Sequence, residues 1–236
     1  MDRYNNGEYL ATHPGWHQED SPFKARQVRK ALLDAGLKPR SIAEVGCGAG
    51  GIIAGLAETF GDAQCMGYEI SRDAFKLCQS HTAPNLRYVL GDFSQSSDRF
   101  DVIVSCDVLE HVDDYLGFIR VLGSRASHVV LNIPLDITAV NLLLKRFEYA
   151  RRHSGHLHYF TRETALASVE HAGLKVRSHF LAPGGIERAV TLRQKLAAIP
   201  RLMAGLFGRD FSTRFFGGCS LIVLADGAVA SARQAE

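Results

Sequence analysis

The sequence predicts a single α/β domain built on a mostly parallel sheet with helices on both faces. Three observations carry that expectation. Short β-rich runs alternate with helical stretches along most of the chain, the rhythm of parallel strands joined by right-handed crossovers. A glycine-rich loop, "EVGCGAGG" (44–51), ends the first strand and opens the next helix. A length of 236 residues fits one such domain with a core large enough to need no staples.

The elements follow in order. Residues 1–20 are polar and aromatic with little periodicity. Ser21-Pro22 reads as a helix start, a capping hydroxyl followed by proline in the first turn. Phe23, Val28, Ala31, Leu32 and Ala35 give that helix an apolar stripe, and Gly36 ends it, so residues 1–36 are expected to form an N-terminal cap region. "SIAEVG" (41–46) is the first strand, and Ile52 to Phe60 the helix after it. "CMGYEI" (65–70) is the second strand, with Ser71 capping the helix that follows. "LRYVLGDF" (86–93), "FDVIVSCDV" (100–108) and "HVVLNIPL" (128–135) are the third to fifth. Asp113 and Asp114 open a helix to about Gly123, with acids at its positive end. An extra segment covers 137–155, and Thr161 starts a helix ending near Gly173. "LKVRSHFLA" (174–182) is the sixth strand. A basic, apolar insertion runs from Pro183 to about Phe216. "GGCSLIVLAD" (217–226) is a seventh strand that would enter as an antiparallel partner of the sixth, and the tail "GAVASARQAE" reads as frayed.

Bulk composition excludes several classes. With 46% hydrophobic and 22% charged residues and a net charge of +2, the chain reads as an ordinary globular protein with no large polyanion partner, so no nucleic acid is expected. The five cysteines are odd in number and scattered, which suits free thiols in a reducing cytoplasm. Neither a secretory h-region nor a membrane-length apolar run is evident. A cytoplasmic location follows as the expectation.

Ligands of such sheets bind beyond the carboxyl ends of the strands. Gly46, Gly48 and Gly51 satisfy G-x-G-x-x-G, which lets a ligand approach the backbone at a helix N-terminus. Glu69, at the end of strand two, suits both hydroxyls of a ribose, with Ile70 beside it. A nicotinamide dinucleotide fits these features alone. Glu44 argues otherwise: an acid two residues before the first glycine would repel a pyrophosphate and suit a cofactor carrying an ammonium and a sulfonium. Asp92 and Phe93 in "GDF" offer an acceptor for an adenine amino group and an apolar face. "CDVLEHV" adds Cys106, Asp107, Glu110 and His111 to the same rim. No Tyr-x-x-x-Lys pair supports hydride chemistry.

"EVGCGAGG", "YEIS", "GDF", "CDVLEHV", "LNIP" and the late "GGCSLIVLA" strand, in that order, resemble the class I S-adenosylmethionine-dependent methyltransferases, within them the small-molecule group that includes quinone-biosynthesis O-methyltransferases. The resemblance covers about 40–182 and 217–226. It implies a Rossmann-like seven-stranded sheet with strand seven antiparallel between five and six. It also implies S-adenosylmethionine as cofactor: Glu44, Gly46 and Gly48 lining its methionine half, Glu69 holding the ribose, Asp92 and Phe93 reading the adenine, and Cys106 and Asp107 beside it.

Transfer to a hydroxyl also requires removal of a proton. His111, His156 and His158 are the candidate catalytic groups, the last two from "RRHSGHLHYFT" (151–161). No metal is expected; were one held, Asp107, Glu110 and His111 would be its ligands, a spacing similar to clusters that bind a divalent ion in some O-methyltransferases. Trp16 and His17, in "HPGWHQEDSPFKA" (13–25), are expected to fold over the cofactor mouth. The insertions at 137–160 and 184–216 are amphipathic and basic (Arg188, Arg193, Lys195, Arg201, Arg209, Arg214). They are expected to form a lid over a small-molecule acceptor, or to make peripheral contact with the inner membrane surface. The expected reaction is O-methylation of a hydroxylated metabolite or glycan precursor. N-methylation, a nicotinamide-dependent oxidoreductase and a catalytically silent cofactor binder are the alternatives.

Overall fold

The computed structural model describes residues 15, 16, 18–187 and 192–228. The opening stretch 1–14, His17, Arg188 and the tail from 229 onward lie outside the described residues, as do the side chains of Arg193 and Lys195.

Seven strands form one sheet: β1 (Ser41–Val45), β2 (Gln64–Glu69), β3 (Leu86–Leu90), β4 (Phe100–Cys106), β5 (Ala126–Pro134), β6 (Lys175–Ala182) and β7 (Ser220–Asp226), in the order β3-β2-β1-β4-β5-β7-β6. The first five are parallel, with Ile42 opposite Cys65 and Val102, and Val104 opposite Val130. β7 is antiparallel to both neighbours, with Leu131 opposite Val223 and Leu181 opposite Leu221. This is the Rossmann-like seven-stranded sheet, with the seventh strand antiparallel between five and six, that the resemblance implies.

Alternation along the strands divides the core in two, because side chains on a strand change face at every residue. Ile42, Val102, Val104, Val130 and Ile222 meet Val28 and Leu32 of helix α1 (Ser21–Asp34) and Ile53 and Leu56 of α2 (Gly51–Thr59). Ala43, Val45, Ile103, Leu131 and Val223 meet Ile119 and Leu122 of α4 (Tyr115–Arg125) and Ala165 and Val169 of α7 (Arg162–His171) on the other face. Between them, α3 (Arg72–Cys78) follows β2, its N-terminus capped by Ser71, whose hydroxyl accepts from the Ala74 amide at 3.4 Å.

The caps follow the sequence signals with one displacement. Asp114 caps α4 by accepting from the Gly117 amide at 2.8 Å, and Thr161 and Thr164 form a reciprocal capping box on α7. At α1, a 3-10 turn over Gln18–Asp20 runs straight into the helix. Asp20 therefore takes the cap position and Ser21 already lies inside the helix, with Pro22 still in its first turn. The 137–155 segment folds as α5 (Ala139–Leu143) and α6 (Arg146–His153). The late insertion supplies α8 (Gly184–Glu187), α9 (Leu192–Gly205) and α10 (Arg209–Phe216). No helix among the described residues is long and apolar enough to cross a membrane.

Candidate active site

Two cavities open at the carboxyl ends of the parallel strands and meet at Gly46, which lines both. The larger, about 760 Å³, is bounded by Tyr68, Ile70, Leu90, Asp92, Phe93 and Val108. The smaller, about 310 Å³, is bounded by Trp16, Lys24, Glu44, Cys106, Asp107 and Glu110, with His111 and His156 at its far side. The first is mainly apolar; the second gathers carboxylates and imidazoles.

The glycine loop is shaped by close neighbours. Gly46 has φ +76°, and a Cβ there would stand 2.6 Å from Val108 Cγ2. Gly48 has φ +55° and faces the Trp16 ring, 3.0 Å from where a Cβ would lie. Both positions need glycine for backbone and for space. Trp16 thus packs over the loop at the mouth of the smaller cavity.

Strand alternation turns Glu44 toward the α1/α2 face, where it is 1% exposed and accepts from the Ile53 amide at 3.0 Å. Burial pushes its carboxyl well above the usual range, while the Ile53 amide and the Lys24 ammonium pull the other way. Glu69 accepts from the Gly48 amide at 2.8 Å and the Ser71 amide at 2.7 Å, tying the glycine loop to the end of β2. Burial raises its carboxyl, and those amides oppose the rise. Glu69 lines neither cavity, although Ile70 beside it lines the larger one. Asp92 caps the turn Phe93–Gln95 by accepting from the Ser94 amide at 2.8 Å. Phe93 is buried edge-on to Tyr68 at 4.9 Å, with the Arg125 guanidinium 5.1 Å from its ring.

Asp107 takes φ +53°, rare for a residue with a side chain. Its surroundings hold it there: its amide donates to the Asn132 carbonyl at 3.0 Å, Asn132 Nδ2 donates to Oδ1 at 2.7 Å, and Lys24 Nζ lies 2.6 Å from Oδ2. Burial works against the Lys24 charge, but Asp107 more than offsets it and the ammonium is held well above its ordinary range. Cys106 lines the smaller cavity, and burial pushes its thiol far up. Cys47 is likewise raised, first by its contact with Cys78 and then by burial. Neither is poised as a thiolate nucleophile.

The histidines separate into two groups. The amides of Leu157 and His158 donate to the Glu110 carbonyl at 2.7 and 3.2 Å, which docks the 155–160 segment on the turn after β4. His111 Nδ1 donates to the Gly155 carbonyl at 3.2 Å, and His156 Nδ1 donates to Asp136 Oδ2 at 2.8 Å. The two rings meet edge-on at 5.1 Å. His158 stands apart: it donates to the Val112 carbonyl at 3.0 Å, packs on Tyr115 and lines neither cavity. His156 also borders an outer pocket of about 660 Å³, walled by Asp136, Lys145, Arg146, Phe147, Tyr149 and Tyr159.

Among the described residues, the one group able to hold a metal ion is Glu110, His111 and His156, whose ligand atoms lie within 4.8 Å of one another. Asp107 is not part of it, because both of its oxygens are already engaged. Glu110 is 1% exposed, its Oε2 has no hydrogen-bond partner, and burial, then the Asp107 charge, raises its carboxyl.

A family model described as a methyltransferase domain matches residues 16–179. The chain belongs to this methyltransferase domain family. It is 32% identical to ajmaline N-methyltransferase of Rauvolfia serpentina over 107 residues, 40% of this chain and 36% of that protein. The chain thus matches little more than a third of the length of this curated relative. Among solved structures, the N-methyltransferase NodS from Bradyrhizobium japonicum WM9, in complex with S-adenosyl-L-homocysteine, superposes with a TM-score of 0.61 at 16% identity, covering 93% of this chain and 98% of that one. Magnesium protoporphyrin IX methyltransferase from Synechocystis PCC 6803, with bound S-adenosylmethionine, gives 0.57 at 16% identity, covering 93% and 84%. These likenesses show that the methyltransferase domain has the fold of enzymes that bind this cofactor.

Sequence reasoning missed three residues of the site. Asp136 follows "NIPL" at the end of β5, where the rule of strand ends would have found it. Asn132 lies inside that strand and Lys24 inside α1. Only the folded chain brings those two to Asp107.

Proposed function

We propose that the chain transfers a methyl group from S-adenosylmethionine to a hydroxyl of a small molecule. The observation that carries this reading is the His156–Asp136 pair, bonded at 2.8 Å where the smaller cavity meets the outer pocket. The residues fit the cofactor. Gly46 and Gly48 line the smaller cavity, and buried Glu44 beside them suits a cationic ligand better than a pyrophosphate. Glu44, Gly46 and Gly48 would hold the methionine half, Glu69 and Ile70 the ribose, and Asp92 and Phe93 the adenine. Cys106 and Asp107 would border it.

The cofactor supplies an electrophilic methyl on a sulfonium sulfur. The chain supplies alignment and a route for the proton. With His156 Nδ1 donating to Asp136, Nε2 is the basic nitrogen of the neutral ring, ready to take a hydroxyl proton, and Asp136 then stabilises the imidazolium. His111, with Nδ1 on the Gly155 carbonyl, presents its own Nε2 beside Glu110 Oε1, 3.8 Å away. Tyr149, Phe147 and Tyr159 give the outer pocket flat apolar walls for an acceptor.

The Glu110–His111–His156 cluster favours a second reading, in which a divalent ion activates the hydroxyl. Calorimetry and chelation decide among these. Binding of S-adenosylhomocysteine without binding of NADH is expected, and the reverse result overturns methyl transfer. Activity that survives exhaustive chelation keeps His156 as the base. Loss restored by added divalent ion moves the cluster into a metal role. Transfer to amines but not to the matching hydroxyls would refute the O-methyl assignment.

A further inference from the structure

Helix α10 is inside out. Its buried face carries Ser212 and Thr213, while Phe211 and Phe215 are 49% and 41% exposed. Phe207, Phe211 and Phe215 follow one another at four-residue spacing, with ring centroids 6.2 and 6.1 Å apart, so they form one stripe along the outer side. At the tip between α9 and α10, Leu206 and Phe207 are 86% and 82% exposed. The neighbouring α5, which packs against α10, ends in Leu142 and Leu143 with Leu144 as its C-cap, all three exposed. Eleven of the fifteen exposed large apolar side chains among the described residues lie in 142–149 and 199–215, so this surface is a concentration and not scattered background.

Charge on the adjoining helix identifies the occupant. Lys145, Arg146, Arg151 and Arg152 are exposed on or beside α6, and only Arg152 forms an ion pair among the described residues, with Glu148. A second copy of the chain docked on this face about a two-fold axis would gather the cations of both copies into one interface. An anionic bilayer meets both requirements, taking the phenylalanines and leucines into its interface and the cations at its phosphates. We propose that the face formed by α5, α6 and the α9–α10 hairpin docks peripherally on an anionic lipid bilayer. Leu144 and Tyr149 belong at once to this face and to the wall of the outer pocket, so docking brings that pocket to the lipid surface.

The test is co-sedimentation of the full chain with vesicles of phosphatidylcholine alone or mixed with phosphatidylglycerol. Binding to the mixed vesicles is expected to exceed binding to phosphatidylcholine by on the order of tenfold and to weaken with salt. The double variant Leu206→Glu with Phe207→Glu, and separately Arg151→Glu with Arg152→Glu, should each lose on the order of tenfold of that binding. Both should keep the wild-type melting temperature and S-adenosylhomocysteine binding. No binding to mixed vesicles, or binding indifferent to both double variants, overturns the proposal. So does a wild-type dimer in sedimentation that the tip variant converts to a monomer without any vesicle binding, since a second copy then covers the face. Nucleotide calorimetry on the same samples keeps this result separate from the fate of the methyl-transfer reading.

Discussion

At the residue scale, Glu44 and the His156–Asp136 pair set two opposite expectations. Glu44 is buried with its carboxyl raised, so the folded state binds a proton more readily than the unfolded one. Stability then falls as pH rises from the ordinary carboxylate range toward the raised folded value. Replacing Glu44 with Gln keeps an oxygen for the Ile53 amide and removes the charge. The variant should melt higher at pH 7–8, by roughly 2–4 °C for each kcal/mol gained, and the gain should vanish below about pH 4. It should also bind S-adenosylhomocysteine more weakly. Calorimetry that finds unchanged affinity removes Glu44 from the cofactor site. For the pair, Asp136→Asn should lower kcat by about 10²–10⁴ with cofactor affinity preserved, measured with methyl-labelled cofactor. An equal fall in cofactor affinity would instead mean that Asp136 only holds the loop.

At the scale of elements, the turn from β1 into α2 depends on its contact with the segment after β4. Gly46→Ala should weaken S-adenosylhomocysteine binding and cost about 1–2 kcal/mol in strained backbone, with the clash against Val108 added. Adding Val108→Ala should recover the clash component and leave the φ strain. Full recovery of stability in denaturant titrations would show that the positive φ is unimportant. The turn and the strand ends were readable from residue order: "EVGCGAGG", "GDF" and "CDVLEHV" each sit where a strand stops. That His158 lies outside both cavities while His156 lines one was not readable, because the two are only two residues apart. In the folded chain His156 turns to Asp136 and His158 to the Val112 carbonyl.

For the whole molecule, the proposed cofactor site would span the two cavities that share Gly46, the smaller of them walled by Ser21 and Lys24 of α1. Ligand binding should therefore stabilise the entire fold. S-adenosylhomocysteine at a hundred times its Kd should add about 2.7 kcal/mol, seen as a rise in melting temperature, while NADH should add nothing. A rise with NADH alone would reverse the cofactor assignment.

The order of strands and helices, the glycine loop, and the acids at successive strand ends were determined by the sequence itself. Hydrophobic periodicity and turn chemistry act over a few residues, and a parallel sheet turns those local signals into a shared rim. The tertiary structure alone decided which partners each acid receives. Lys24 and Asn132 reach Asp107 from a helix and a neighbouring strand, and this leaves Glu110, His111 and His156 as the remaining donor cluster. It also turned the phenylalanines of α10 outward and Ser212 and Thr213 inward. An amphipathic pattern says that a helix has two faces, and only packing against the rest of the chain says which face is covered.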